Sequence, residues 1–245
     1  MDGFDPQTSF NDNVARHYDD ELRGDEDDAA AFLAGLTGDG AALEFAIGTG
    51  RVALPLAAKG VVVDGLEMSA DMVEQLRSKP GGNALNVTIG DMSTTILPAK
   101  YRVVYLVYNT IFNLLTVDDQ IRCFENAARH LDAEGAFVVE TAIPSAWIAP
   151  DRSEYVKTEH VGLKEVRFDV VRYDPATQIF DENHVRLTPS GISFAPIVLR
   201  LITPGEMDLM ARIAGLRLTQ RYGSWRRATF DATCRSHVSV YRIAH

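Results

Sequence analysis

Residues 43–68, LEFAIGTGRVALPLAAKGVVVDGLEM, decide how the rest of the chain is read. The order is strand, glycine turn, helix, strand, acid. Residues 43–47 make a short apolar strand, and Gly48, Thr49 and Gly50 a turn where a missing Cβ lets backbone approach a ligand. Residues 51–59 carry apolar side chains at helical spacing, with Gly60 placed to end the helix. The β-branched run 61–63 suits a second, buried parallel strand. Glu67 falls just beyond it, 19 residues after Gly48. A carboxylate there accepts both ribose hydroxyls of a nucleoside lying over the glycine turn.

A glycine turn followed by an acid also fits a dinucleotide fold. Against that stands Glu44, four residues before the first turn glycine, whose carboxylate would repel a pyrophosphate. It suits a ligand carrying an ammonium and a sulfonium. The third glycine of G-x-G-x-x-G is replaced by Ala53. The tract E-x-A-x-G-T-G-R, followed by Glu67-Met68-Ser69 and Gly90-Asp91-Met92, resembles the class I S-adenosylmethionine-dependent methyltransferases over roughly residues 40–142. Ala46 departs from that family, where glycine is commoner.

The resemblance implies S-adenosylmethionine as cofactor and S-adenosylhomocysteine as product. It implies a Rossmann-like, doubly wound α/β fold with a mostly parallel seven-stranded sheet. Glu44 is then expected near the cofactor's amino group, Ala46, Gly48 and Gly50 as close backbone, and Glu67 with Met68 at the ribose. Asp91 and Met92 are expected at the adenine, and Arg51 either caps the helix or meets the cofactor carboxylate. Tyr108 and Asn109, ending an apolar strand over 101–108, belong beside the sulfonium. Phe112, Asn113 and Trp147 fall on the acceptor side. Tyr18 resembles the tyrosine of an N-terminal helix that closes over the cofactor, or else packs on an amphipathic face with Val14 and Leu22.

Composition sets the class. With 46% hydrophobic and 24% charged residues in 245, the chain suits a soluble α/β domain with an insertion. No apolar run is long enough to span a bilayer, and the N-terminus lacks a basic-then-apolar leader. A cytoplasmic location with no membrane partner is therefore expected. Net charge is −10, and residues 1–28 hold ten acids and two bases, which leaves −2 for the remainder. Nucleic acid binding needs a basic stripe that this chain lacks. The acidic leader either attracts a cationic substrate or is a solvated segment. Cys123 and Cys234 have no metal spacing, no metal is expected, and Cys123 reads as a small core residue.

Three domains follow: a helical cap over 1–40, the cofactor domain over 41–145 and 202–245, and an insertion over 146–201. Helices are expected over 69–79, over 117–131 (capped by Asp118 or Asp119) and from Thr203 through Ile213. Strands fall at 87–89 and 136–141, with a turn over 132–135 before the latter, and at 216–222 and 236–243. Within the insertion, runs 166–173, 178–187 and 192–201 form an antiparallel β-meander, either an acceptor-side lid or a dimer contact. Aromatics Trp147, Tyr155, Phe168, Tyr173, Phe194 and Trp225 are candidates to wall an acceptor pocket.

Transfer to a nitrogen or oxygen of a small molecule is the expected reaction, the protein aligning a lone pair with the methyl and excluding water. A hydroxyl acceptor also needs a base. His184, Glu140 and Tyr18 are the candidates, and no triad stands out. The alternatives are an NAD-linked oxidoreductase, or a nucleoside-binding protein of this fold without turnover, and a homodimer is possible.

Overall fold

The computed structural model describes residues 1, 3–6, 9–20 and 23–244. Leu22, expected to continue the stripe of Val14 and Tyr18, lies outside them. Among the described residues the chain runs α1 (Asp12–His17), α2 (Glu26–Thr37), β1 (Ala41–Phe45), α3 (Ala53–Ala58), β2 (Val62–Glu67), α4 (Ala70–Ser78), β3 (Asn86–Ile89) and β4 (Tyr101–Leu106). It continues through α5 (Val117–His130), β5 (Leu131–Ala142), β6 (Glu154–Val161), β7 (Val166–Asp174), β8 (Ile179–Thr188) and β9 (Gly191–Arg200). α6 (Pro204–Ile213), β10 (Leu216–Tyr222) and β11 (Ser236–Ile243) complete it. No helix among them is long and apolar enough to cross a membrane.

Seven of these strands form one sheet in the order β10-β11-β5-β4-β1-β2-β3. Parallel pairing joins β5, β4, β1, β2 and β3, while β11 runs antiparallel to both β5 and β10. This is the doubly wound α/β class read from the sequence. Strand alternation sends Leu43, Phe45, Leu106, Phe137 and Val139 into one core with Phe124 of α5 and Met207 of α6. It sends Ala42, Val63, Val103, Tyr105 and Val138 into the other, with Leu33 of α2, Leu56 of α3 and Leu76 of α4. Both faces being covered, the central strands are apolar throughout.

Local signals set several ends. Ser69 Oγ accepts from Met72 N at the start of α4, and Thr203 with Glu206 forms a reciprocal capping box on α6. The α5 cap is Thr116, whose Oγ1 accepts from Asp119 N, and not Asp118 or Asp119. Those two acids lie in the first turn, where the helix dipole favours them. The expected turn over 132–135 is absorbed into β5, which starts directly after α5. Its surplus residues appear as a register shift opposite Tyr101 and Val103. β2 begins at Val62, 65% exposed, so of the β-branched run only Val63 is buried.

The insertion forms a separate four-stranded antiparallel sheet, β6-β7-β8-β9. Three of its strands were legible; β6 was not. Its side chains are nearly all exposed, so EYVKTEHV shows no apolar alternation.

Candidate active site

The carboxyl ends of β1, β2 and β4 form the floor of a cavity of about 430 Å³. The backbone there is forced. Ala46 (φ 51°), Gly48 (φ 56°) and Gly50 (φ 78°) follow β1, and Tyr108 (φ 54°) and Asn109 (φ 63°) follow β4, all left-handed. Non-glycine residues in that region are strained and persist where surroundings hold them. Glu140 does this for the second turn, its carboxylate accepting from Tyr108 N at 2.9 Å while its backbone oxygen accepts from Asn109 N at 3.2 Å.

Glu67 sits at the cavity wall, 7% exposed. Its Oε2 accepts from Gly48 N at 2.7 Å and its Oε1 from Ser69 N at 2.8 Å. Burial raises its pKa, and the backbone donors of Ser69, Gly48 and Met68 oppose the rise. Each carboxylate oxygen keeps a lone pair beyond these bonds, so a pair of vicinal hydroxyls can still donate to it. Ala46, Gly48, Met68, Met72, Gly90 and Met92 complete this part of the lining. A Cβ on Gly48 would come 3.2 Å from Met72 Cε, into the space beside the bare turn. The residues present thus fit an adenosyl group: polar acceptors for the sugar, thioether and peptide surfaces for the ring.

An N-terminal strap closes one side. Thr49 Oγ1 donates to Asp19 at 2.8 Å, Lys79 Nζ pairs with Asp19 at 2.6 Å, and Ser69 Oγ donates to the Phe10 carbonyl. Arg51 pairs with Asp25 at 2.7 Å and Glu26 at 3.2 Å. These acids of the leader therefore anchor the cap to the glycine turn. Phe10, Val14, Tyr18 and Arg23 reach the cavity, with the Arg23 guanidinium 3.2 Å from the Tyr108 ring centre. Burial pushes the Tyr18 hydroxyl above its ordinary pKa.

A second chamber of about 890 Å³ adjoins the first beneath the meander. Val14, Tyr18, Arg23, Tyr108, Trp147, Glu182, His184 and Ala195 border both. Cross-strand registry puts Tyr155, Val171, Glu182 and Ile197 in one row and Lys157, Asp169, His184 and Ala195 in the next. The meander's charged face is thereby turned inward.

Of the residues singled out from sequence, Tyr18, Ala46, Gly48, Glu67, Met68, Met92, Tyr108, Asn109, Asn113, Trp147 and His184 line the first cavity. The others stand behind it. Glu44 points to the α2–α3 face, 2% exposed, where its Oε2 accepts from Tyr105 Oη at 3.0 Å. Burial pushes it up to about 8, and the side chain borders neither chamber. Glu140 lies on the same face, braced by Trp225 Nε1 at 3.0 Å, and does not reach either chamber. Arg51 is spent on the cap. Gly50 backs the turn against Leu76, and Asp91 Oδ1 accepts from Ser93 N and Oγ. Phe112 is fully buried, its ring 5.8 Å from that of Trp147 and supporting it. Tyr155 and Phe168 line the outer chamber. Phe194 is exposed, Trp225 packs on Phe32, and Tyr173 packs on the core.

Sequence reasoning passed over Phe10, Met72, Arg23, Lys157 and Asp169. Strand register alone joins Asp169 to His184, and no motif carries it.

Residues 42–135 match a family model described as a methyltransferase domain. The whole chain is 36% identical to the CcbJ methyltransferase from Streptomyces caelestis, covering 99% of this chain and 100% of that one with a TM-score of 0.92. The chain belongs to the class I S-adenosylmethionine-dependent methyltransferases. The same fold recurs in S-adenosylmethionine-bound CalS10, an amino pentose methyltransferase from Micromonospora echinaspora (24% identity, 94% and 95% coverage, TM-score 0.67). It recurs in the sugar N-methyltransferase KedS8 from Streptoalloteichus (17% identity, 94% and 92% coverage, TM-score 0.66). A search of curated protein sequences finds no match. This methyltransferase thus uses S-adenosylmethionine, and the dinucleotide alternative falls.

Proposed function

We propose that this methyltransferase transfers the methyl group to a nitrogen of a small, polar acceptor held under the meander. The observation that carries the reading is the junction of the two chambers, where Glu182 and His184 face the space beyond the cofactor cavity. Carboxylates there attract an amine that arrives as its ammonium, and a nearby imidazole suits its conversion to the neutral nucleophile. The outer chamber's mix of Lys157, Arg186, Ser193 and aromatic rings suits a hydroxyl-bearing molecule. The sugar-directed activities named for CalS10 and KedS8 support the same class.

In this reading Glu67 holds the ribose and Gly48 gives it room, while Met68, Met72 and Met92 cover the adenine. Tyr18 and Asn109 flank the methionine end. Trp147 and Asn113 border the acceptor, and the meander is its roof. The bound cofactor supplies an electrophilic methyl on a good leaving group; the chain aligns the acceptor and keeps water out.

The purified protein is incubated with S-adenosylmethionine and matched pairs, D-glucosamine with D-glucose and ethanolamine with ethylene glycol, beside a wider amino-sugar set. Mass spectrometry reads methyl gain and S-adenosylhomocysteine. Methylation confined to the amines is expected. Methylation confined to the alcohols, or none across the set, would overturn the reading.

A further inference from the structure

The row Lys157, Asp169, His184 crosses the roof of the junction. His184 Nδ1 lies 2.6 Å from Asp169 Oδ1; the carboxylate is 4% exposed and the imidazole 52%. An ionised carboxylate only accepts, so this bond needs the proton on Nδ1 and leaves Nε2 of the neutral ring bare. Lys157 Nζ stands on the far side of that buried acid, 3.7 Å from Asp169 Oδ2. On the other side, Nε2 is 3.7 Å from Glu182 Oε2. Burial raises Glu182 to about 7, with His184 and Lys157 opposing the rise and the neighbouring Asp169 carboxylate adding to it. Glu140 reaches neither chamber, and the Tyr18 phenol is held protonated, so neither competes as a base.

We infer that His184, fixed by Asp169, is the general base that takes the acceptor's proton through Nε2, with Asp169 as its positioning residue. The inference rests on the amine reading above and deepens it. The acceptor's N–H bond breaks with its electron pair left on nitrogen, and the proton bonds to Nε2. That pair then forms the N–CH₃ bond as the C–S bond breaks, its electrons passing to sulfur. The proton leaves His184 for solvent through the outer chamber, where Glu182 stabilises the transient imidazolium. Charged groups bordering that chamber are Lys157 and Glu159 on β6, Arg167 on β7 and Arg186 on β8. His17, Asp20 and Arg23 face it from the cap, and Arg235 from before β11.

Nitrogen-15 histidine spectra of the S-adenosylhomocysteine complex at pH 8 test the geometry without any acceptor. The expected His184 signal is the Nδ1–H tautomer, displaced in Asp169→Asn as expected when an amide replaces the orienting acid. A dominant Nε2–H tautomer overturns the inference, whatever the amine screen finds. On an amine from that screen, His184→Gln should lower kcat by about 10²–10⁴-fold and shift the acid limb of its pH profile. Calorimetric affinity for S-adenosylhomocysteine should stay within about twofold. An unchanged acid limb, or a kcat within about threefold of the unaltered protein, overturns it. Failure of every amine sinks the proposed function, and the spectra still decide the state of His184.

Discussion

The floor and the roof of the junction are built by opposite means. The floor consists of turns after parallel strands, where Ala46, Gly48, Tyr108 and Asn109 take left-handed backbone and the carboxylates of Glu67 and Glu140 accept from backbone N–H groups of those turns. The roof consists of ordinary extended strands whose inward side chains, Glu182, Asp169, His184 and Lys157, are networked and partly open to solvent. One is shaped by conformation, the other by side-chain registry. On the proposed function, a shared cofactor demands the first and an individual acceptor the second.

Changes in the floor should therefore register in folding stability or cofactor binding, and changes in the roof should spare both. The largest effect is expected for Gly50→Ala. Its Cβ would fall 2.2 Å from Leu76 Cδ1 at φ 78°, and overpacking plus left-handed strain cost about 3 kcal/mol. Urea unfolding reads this, and a loss below about 1 kcal/mol would show that the turn is not so constrained. Next comes Glu67→Ala, which should weaken S-adenosylhomocysteine by about 1–3 kcal/mol in calorimetry; unchanged affinity would remove Glu67 from the ribose.

Glu44 gives a pH signature. Its pKa lies near 8 in the fold against an ordinary 4.5, so the folded state holds a proton that the unfolded chain releases. Stability from this group is full below about 4.5 and is lost as pH rises to about 8. Glu44→Gln, which keeps an acceptor for Tyr105, should flatten urea-derived stability across that window and stabilise most at pH 8. An equal slope in both proteins would refute the buried, protonated carboxyl.

Smaller still, Ala46→Gly should raise stability by up to about 1 kcal/mol by relieving left-handed strain, read as a higher urea midpoint. In the roof, Lys157→Met should move stability by no more than about 0.5 kcal/mol while raising the acceptor's KM. A large loss of stability there would erase the contrast.

Legibility in the sequence follows the same division. The glycine turn, Glu67 and Met92 at the cavity and Ser69 at the start of α4 were readable because strand-end turns and helix caps need particular residues at fixed offsets. Glu44 and Glu140 were misplaced, since central parallel strands are buried on both faces and their pattern does not tell which face a side chain takes. Tyr105 and Trp225, distant in sequence, settle that. In the insertion, three strands were visible from turn residues and apolar alternation. Strand β6 and the Asp169–His184 pair were hidden, because exposure removes the pattern and registry is a property of paired strands. The acids of the leader looked solvated in isolation; their partners Thr49, Lys79 and Arg51 lie 25 or more residues away.

The most direct measurement is a crystal structure with S-adenosylhomocysteine bound. The account predicts both ribose hydroxyls on Glu67, the adenine among Met68, Met72 and Met92, and the sulfur facing the opening bordered by Tyr18, Glu182 and His184. A nucleoside seated under the meander, or a sulfur turned away from that opening, would contradict it.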